Sequence, residues 1–102
     1  MGGIRMPLDE DDLAFEGFEW DANKNRSNVA KHGIDFAEAL LAFSDAAAVT
    51  LEPKSRYGET RQLIVGEVAG RLVTVVFTLR GQRIRIISAR RSRRSERKRH
   101  GQ

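Results

Sequence analysis

A change of hydrophobic period at Ala47 restricts the fold of this chain more than any other feature. Before that point Phe36, Ala39, Leu40 and Phe43 recur at helical spacing; after it β-branched residues dominate and turn residues interrupt them at short intervals. Helices therefore come first and strands follow. Asp21, after the short alternating segment Phe18-Glu19-Trp20, predicts an N-cap for a helix through Asn23, Lys24, Asn28 and Lys31 that Gly33 ends. Asp35 starts a second helix, with Glu38 completing a capping box. Val49 and Leu51 alternate in a first strand, and Arg56-Tyr57-Gly58-Glu59 forms a loop. Leu63 to Val68, Leu72 to Leu79 and Ile84 to Ala89 follow as strands, made antiparallel by tight turns at Ala69-Gly70 and Gly81-Gln82. Ser92 is placed to cap a closing helix from Arg93 to about His100. The predicted class is α+β: two N-terminal helices packed on a four-stranded antiparallel sheet, with a short basic C-terminal helix.

With 102 residues there is room for one domain and no separate cofactor module. Residues 1–17 read as an acidic leader and 18–102 as that domain. Absence of cysteine excludes disulfides and thiolate chemistry and fits a cytoplasmic location. No apolar run approaches the roughly 20 residues of a membrane span, and the acidic start does not resemble a signal peptide. No membrane partner is expected. The net charge of +4 hides two poles. Leu8 to Asp21 carries seven acids and no Lys or Arg, whereas Arg83 to Arg99 carries nine Lys or Arg against Glu96 alone. That basic density suits a row of phosphates, so nucleic acid is the first partner to consider.

Several side chains are candidates for chemistry. His32, between Lys31 and Gly33, falls at a helix C-terminus, where the macrodipole favours a protonated ring, and histidine is suited to proton transfer at neutral pH. Its other possible role is to bond the terminal carbonyls. Trp20, the sole tryptophan, can stack on a base or fill the core; Tyr57, in the loop with Arg56, Glu59 and Arg61, is the better stacking candidate. Glu59 is the carboxylate best placed for a cleft rimmed by this loop, its other role being that of a solvated loop residue. Strict alternation in the last strand groups Arg83, Arg85, Ile87 and Ala89 on one face and Ile84, Ile86, Ser88 and Arg90 on the other. Arginine presents a planar fork to phosphate, which suits Arg83 and Arg85 to backbone binding and marks Arg90 as the deepest of the set. Arg93, Arg94, Arg97, Lys98 and Arg99 supply general attraction. No metal site is expected, since the only histidines are His32 and His100 and there is no thiol.

The segments FEWDANKNRSNVAKHGIDFAEA, GETRQLIVG, RLVTVVFT and RIRIISARRSRRSERKRH, in that order, resemble the BrnT family of type II toxin endoribonucleases from about Phe18 to His100. The resemblance covers Trp20, Asp21, Lys24, Asn28, Lys31, His32, Gly33, Phe36, Gly58, Glu59, Arg61, Arg85 through Arg90, and Glu96. It departs at Ala22, where the family has proline, and at His100, where the family has tyrosine. The family implies a RelE-like fold, RNA cleavage without metal or other cofactor, and a hetero-oligomer with a cognate BrnA-like antitoxin, a ribbon-helix-helix protein through which operator DNA is bound. In such a reaction the 2′-hydroxyl attacks the adjacent phosphorus, which calls for a base, an acid and cations on the phosphoryl oxygens. Lys31, His32 and Glu59 are then the candidates for protons, and Arg85 and Arg90 for charge. RNA contacts fall to Trp20, Tyr57, Arg61, Arg83, Arg91, Arg94, Arg97 and His100.

A rival reading is a non-catalytic nucleic-acid-binding module. Helix, Gly33, helix superficially resembles a helix-turn-helix, but the segment FAEALLAF has no cation to meet phosphate and needs its apolar face for the core. A basic tail that coats RNA without chemistry is the other form of that rival.

Overall fold

The computed structural model describes residues 17–101. The acidic leader expected over residues 1–17 thus lies, Gly17 apart, outside the described residues. The elements are β1 (Gly17–Glu19), α1 (Ala22–His32), α2 (Phe36–Ala39), a 3-10 helix (Leu40–Ser44), β2 (Val49–Thr50), β3 (Lys54–Arg56), β4 (Glu59–Val68), β5 (Arg71–Arg80), β6 (Arg83–Arg91) and α3 (Arg94–His100). The class is α+β as expected, but the sheet has six strands and is mixed.

Asp21 caps α1 by accepting the Lys24 N–H at 3.1 Å, and Gly33 closes it with φ of +73°. The second helix begins where Asp35 accepts the Ala37 N–H at 2.9 Å, yet it is α-helical for only four residues before tightening. That tight segment lies directly on the sheet: a Cβ on Gly66 of β4 would stand 2.4 Å from the Ala42 carbonyl oxygen. Glycine is what lets the two backbones meet.

The sheet order is β1-β6-β5-β4-β2, with β3 pairing β4 beyond the main path. β4, β5 and β6 form the expected antiparallel meander. β1 adds to it in parallel, with Gly17 opposite Arg83 and Glu19 opposite Arg85. The alternating segment Phe18-Glu19-Trp20 overlaps this strand at Phe18 and Glu19, but nothing in it specifies the parallel pairing with β6. β3 is wholly exposed and carries no apolar alternation. It forms because Tyr57 and Gly58, at φ of +52° and +78°, make a two-residue turn whose twist matches a hairpin.

α1, α2 and the 3-10 helix cover one sheet face, closing a core of Ile34, Phe36, Phe43, Ile64, Val73, Val75, Phe77, Ile84, Ile86 and Ala89. Phe43 stands between Phe18 and Phe77, at ring separations of 5.1 and 5.2 Å. α3 lies on the opposite face, where Thr74, the residue between Val73 and Val75, donates to Glu96 at 2.9 Å. Arg93, one residue later than expected, is the N-cap of α3, its N–H donating to Glu96 at 2.7 Å; Ser92 instead bonds Thr74. The would-be reading segment of a helix-turn-helix is buried at Phe36, Ala39, Ala42 and Phe43, which removes the geometry a groove reader needs.

Candidate functional site

Strict alternation fails in β6, and the failure builds the site. Val76 pairs with Ser88 while Phe77 pairs with Ile86, so Ile87 is an extra residue in the strand. Beyond this bulge the faces exchange. Ile84, Ile86 and Ala89 all enter the core, whereas Arg85, Ser88 and Arg90 share the face that carries α3. Without the bulge Arg90 would point among the core residues.

Asn28 fixes α1 against that strand. Its side chain is on a residue only 6% exposed; the amide donates to the carbonyls of Ala89 at 2.8 Å and Ile34 at 2.9 Å and accepts the Ala89 N–H at 3.1 Å. These bonds hold the last turn of α1, with Lys31 and His32, beside Ile87 and Ser88. Both side chains belong to exposed residues at the helix C-terminus.

Three carboxylates organise the arginines. Glu19 accepts from Arg85 at 2.8 Å and from Arg83 at 3.0 Å; these bonds, that of Arg85 foremost, hold its carboxyl below the usual range against the opposing effect of burial. Glu96 takes both arms of Arg90, at 2.8 and 2.9 Å. That pair, with the Arg93 N–H and the Thr74 hydroxyl, overcomes burial and holds the Glu96 carboxyl down at about 2. Glu59 stands 3.6 Å from Arg61, whose Nε is buried without a hydrogen-bond partner among the described residues.

Three concavities of about 340–350 Å³ on this surface share lining residues. The first lies between α1 and β6, lined by Lys24, Ser27, Lys31, His32, Ile87 and Ser88. Ser88 also lines the second, with Lys54, Arg56, Arg61, Leu63 and Val76. Lys54 and Leu63 in turn line the third, with Arg93, Ser95, Glu96 and Arg99 of the α3 region. Together these neighbouring concavities make up the candidate cleft, with Lys31 and His32 in the first and Lys54, Arg56, Arg61, Arg93 and Arg99 in the other two. Among the described residues no group of three His, Asp or Glu side chains is arranged to hold a metal ion.

A family model described as ribonuclease toxin, BrnT, of type II toxin-antitoxin system, matches residues 20–96. The chain belongs to this BrnT family. No curated protein matches it. Membership carries with it an RNA substrate and an antitoxin partner. No helix among the described residues is long and apolar enough to cross a membrane.

Within this BrnT chain the residues that the sequence marks as candidates are distributed unevenly. Lys31, His32 and Arg61 line the joined concavities; Arg85 and Arg90 share their face but face carboxylates. Glu59 reaches the cleft only through Arg61. Trp20 packs edge-to-face on Phe36 at 6.1 Å against the core. Tyr57 is 83% exposed at the hairpin tip, where a hydrogen bond from Arg56 lowers the pKa of its phenol, and it lies outside the cleft lining. Arg83 is held by Glu19 and the Phe18 carbonyl. Arg91 and Arg97 line a separate concavity, and Arg94 is exposed on α3. His100 lies apart from the cleft: its side chain is 7% exposed and its Nε2 lies 2.8 Å from Asp45. Burial works against ionised Asp45, but hydrogen bonds from Ala47, His100 and Glu67 prevail and keep its pKa low. Lys54 and Arg56 line the cleft although no sequence pattern assigns them to a site, and Arg93 and Arg99, read in the sequence only as general attraction, join them there because the β3–β4 hairpin and α3 bring them together. Asn28 and Ser88 fall at positions the family resemblance covers; that Asn28 ties α1 to β6 and that Ser88 lines two of the concavities shows only in three dimensions.

Proposed function

We propose that this BrnT chain is an endoribonuclease that cleaves RNA without a metal ion. The 2′-oxygen forms a bond to the adjacent phosphorus as the bond to the 5′-oxygen breaks; a base takes the 2′ proton and an acid protonates the departing oxygen. Products are a 2′,3′-cyclic phosphate and a free 5′-hydroxyl. His32 and Lys31 are assigned the proton transfers, with Glu59 acting through Arg61. Arg61 is assigned the phosphoryl oxygens, since it lines the concavity that shares Ser88 with the one holding Lys31 and His32. Arg85 and Arg90 contribute field rather than direct phosphate bonds, because each already meets a carboxylate. The observation that carries this reading is that shared lining residues, Ser88 and then Lys54 and Leu63, link the three concavities in series.

Incubation with single-stranded RNA in excess chelator tests it. Fragments ending in cyclic phosphate are expected, and none from a substrate lacking the 2′-hydroxyl at the cut nucleotide. Cleavage of that substrate, or an absolute need for a divalent ion, overturns the proposal. A cognate ribbon-helix-helix antitoxin of BrnA type is proposed to cover the cationic cleft in a hetero-oligomer, with operator DNA bound only when it is present. Duplex shift assays on the toxin with and without its antitoxin check that point.

A further inference from the structure

A fourth concavity, of about 450 Å³, shares no lining residue with the three that form the cleft. α3 gives Ser95, Glu96 and Arg99 to the cleft and Arg97 to this one, so the helix stands between them. Three elements each deliver an arginine to it: Arg71 opens β5, Arg91 ends β6 and Arg97 comes from α3. Register places Arg91 opposite Val73, at the same end of the sheet as Arg71. Arg97 donates one N–H to the Ser92 carbonyl at 2.8 Å, and Glu67 is the acid in the lining. Three like charges gathered around one hollow repel one another, and an anion relieves that repulsion.

We propose that this hollow is a second phosphodiester-binding subsite, which holds RNA flanking the scissile bond; it rests on the ribonuclease reading above. The ridge between the two sites is itself cationic, with Arg93, Arg94, Lys98 and Arg99, so a strand that crosses α3 stays in a positive field throughout. A protein partner is the poorer occupant. Protein interfaces centre on apolar or aromatic anchors, whereas the exposed large hydrophobics among the described residues, Val29, Leu41, Tyr57 and Leu79, all lie outside this lining.

The test compares the wild-type chain with Arg71→Glu/Arg91→Glu. Both residues are exposed and outside the cleft. Binding is measured on 2′-O-methyl RNA, which cannot be cleaved, as a trinucleotide and as an oligomer of about 12 nucleotides. The wild type is expected to bind the longer RNA more tightly than the trinucleotide, and the variant to forfeit most of that gain. The slope of log affinity against log salt should fall by about 0.7 for each phosphate the variant no longer neutralises. Arg71→Lys/Arg91→Lys should restore much of the gain. Equal length dependence in wild type and double-Glu variant overturns the subsite, as does a variant that binds RNA normally but loses its antitoxin. Failure of the wild type to cleave any RNA defeats the ribonuclease reading instead.

Discussion

Arg90 and Glu96 form a two-point ion pair across the start of α3, Nη1 to Oε1 at 2.8 Å and Nη2 to Oε2 at 2.9 Å. Because Thr74 and the Arg93 N–H converge on the same carboxylate, this pair joins β5, β6 and α3 at one point. Glu96→Gln keeps the shape and removes the charge. A carboxyl ordinarily at 4.5 and held at about 2 contributes stability that is fully present above 4.5 and is lost as pH falls towards 2. The variant should lose about 3 kcal/mol at neutral pH and show a flatter acid limb in that window. Urea midpoints measured across it decide the matter, and parallel loss in both proteins counts against the assignment.

Asn28 offers a graded test. Asn28→Ala leaves the Ala89 N–H and two carbonyls without their partner, at a cost of about 3 kcal/mol. Asn28→Asp should be worse, since it sets an anion against the carbonyl oxygens of Ala89 and Ile34. Thermal midpoints should therefore rank wild type above Ala above Asp. RNA cleavage should fall with them, because α1 carries Lys31 and His32.

Gly66→Ala is expected to cost about 3 kcal/mol although it adds one methyl group. The atom it meets is the backbone oxygen of Ala42, at 2.4 Å, which has no rotamer to change. A variant as stable as wild type by calorimetry contradicts the close approach.

His32→Ala separates chemistry from capping. If the ring moves a proton, the cleavage rate should drop by about 10²–10⁴ with the thermal midpoint nearly unchanged. A large loss of stability that accounts for the lost activity assigns the ring to the end of α1 instead.

Much of this fold is legible in the chain because single turns and periods dictate it. Asp21 and Gly33 bracket α1, and the Ala69-Gly70 and Gly81-Gln82 turns set the meander. What escapes is nonlocal. β1 exists only because β6 offers it an edge, and the Glu19 clamp on Arg83 and Arg85 follows from that pairing. The Ile87 bulge has no sequence marker, yet it decides which residues of β6 face the cleft. Hence the arginines are legible as a group, while their division between carboxylate-bound and cleft-lining members is not.

Where β1 stops, the border of β6 is closed by one side-chain amide, that of Asn28, bonded to both backbone groups of Ala89. An amide imitates a neighbouring strand there without supplying one. It offers no further edge of its own, so the sheet cannot template the addition of another chain at that position. Loss of the amide would thus expose the molecule to self-association as well as loosen it.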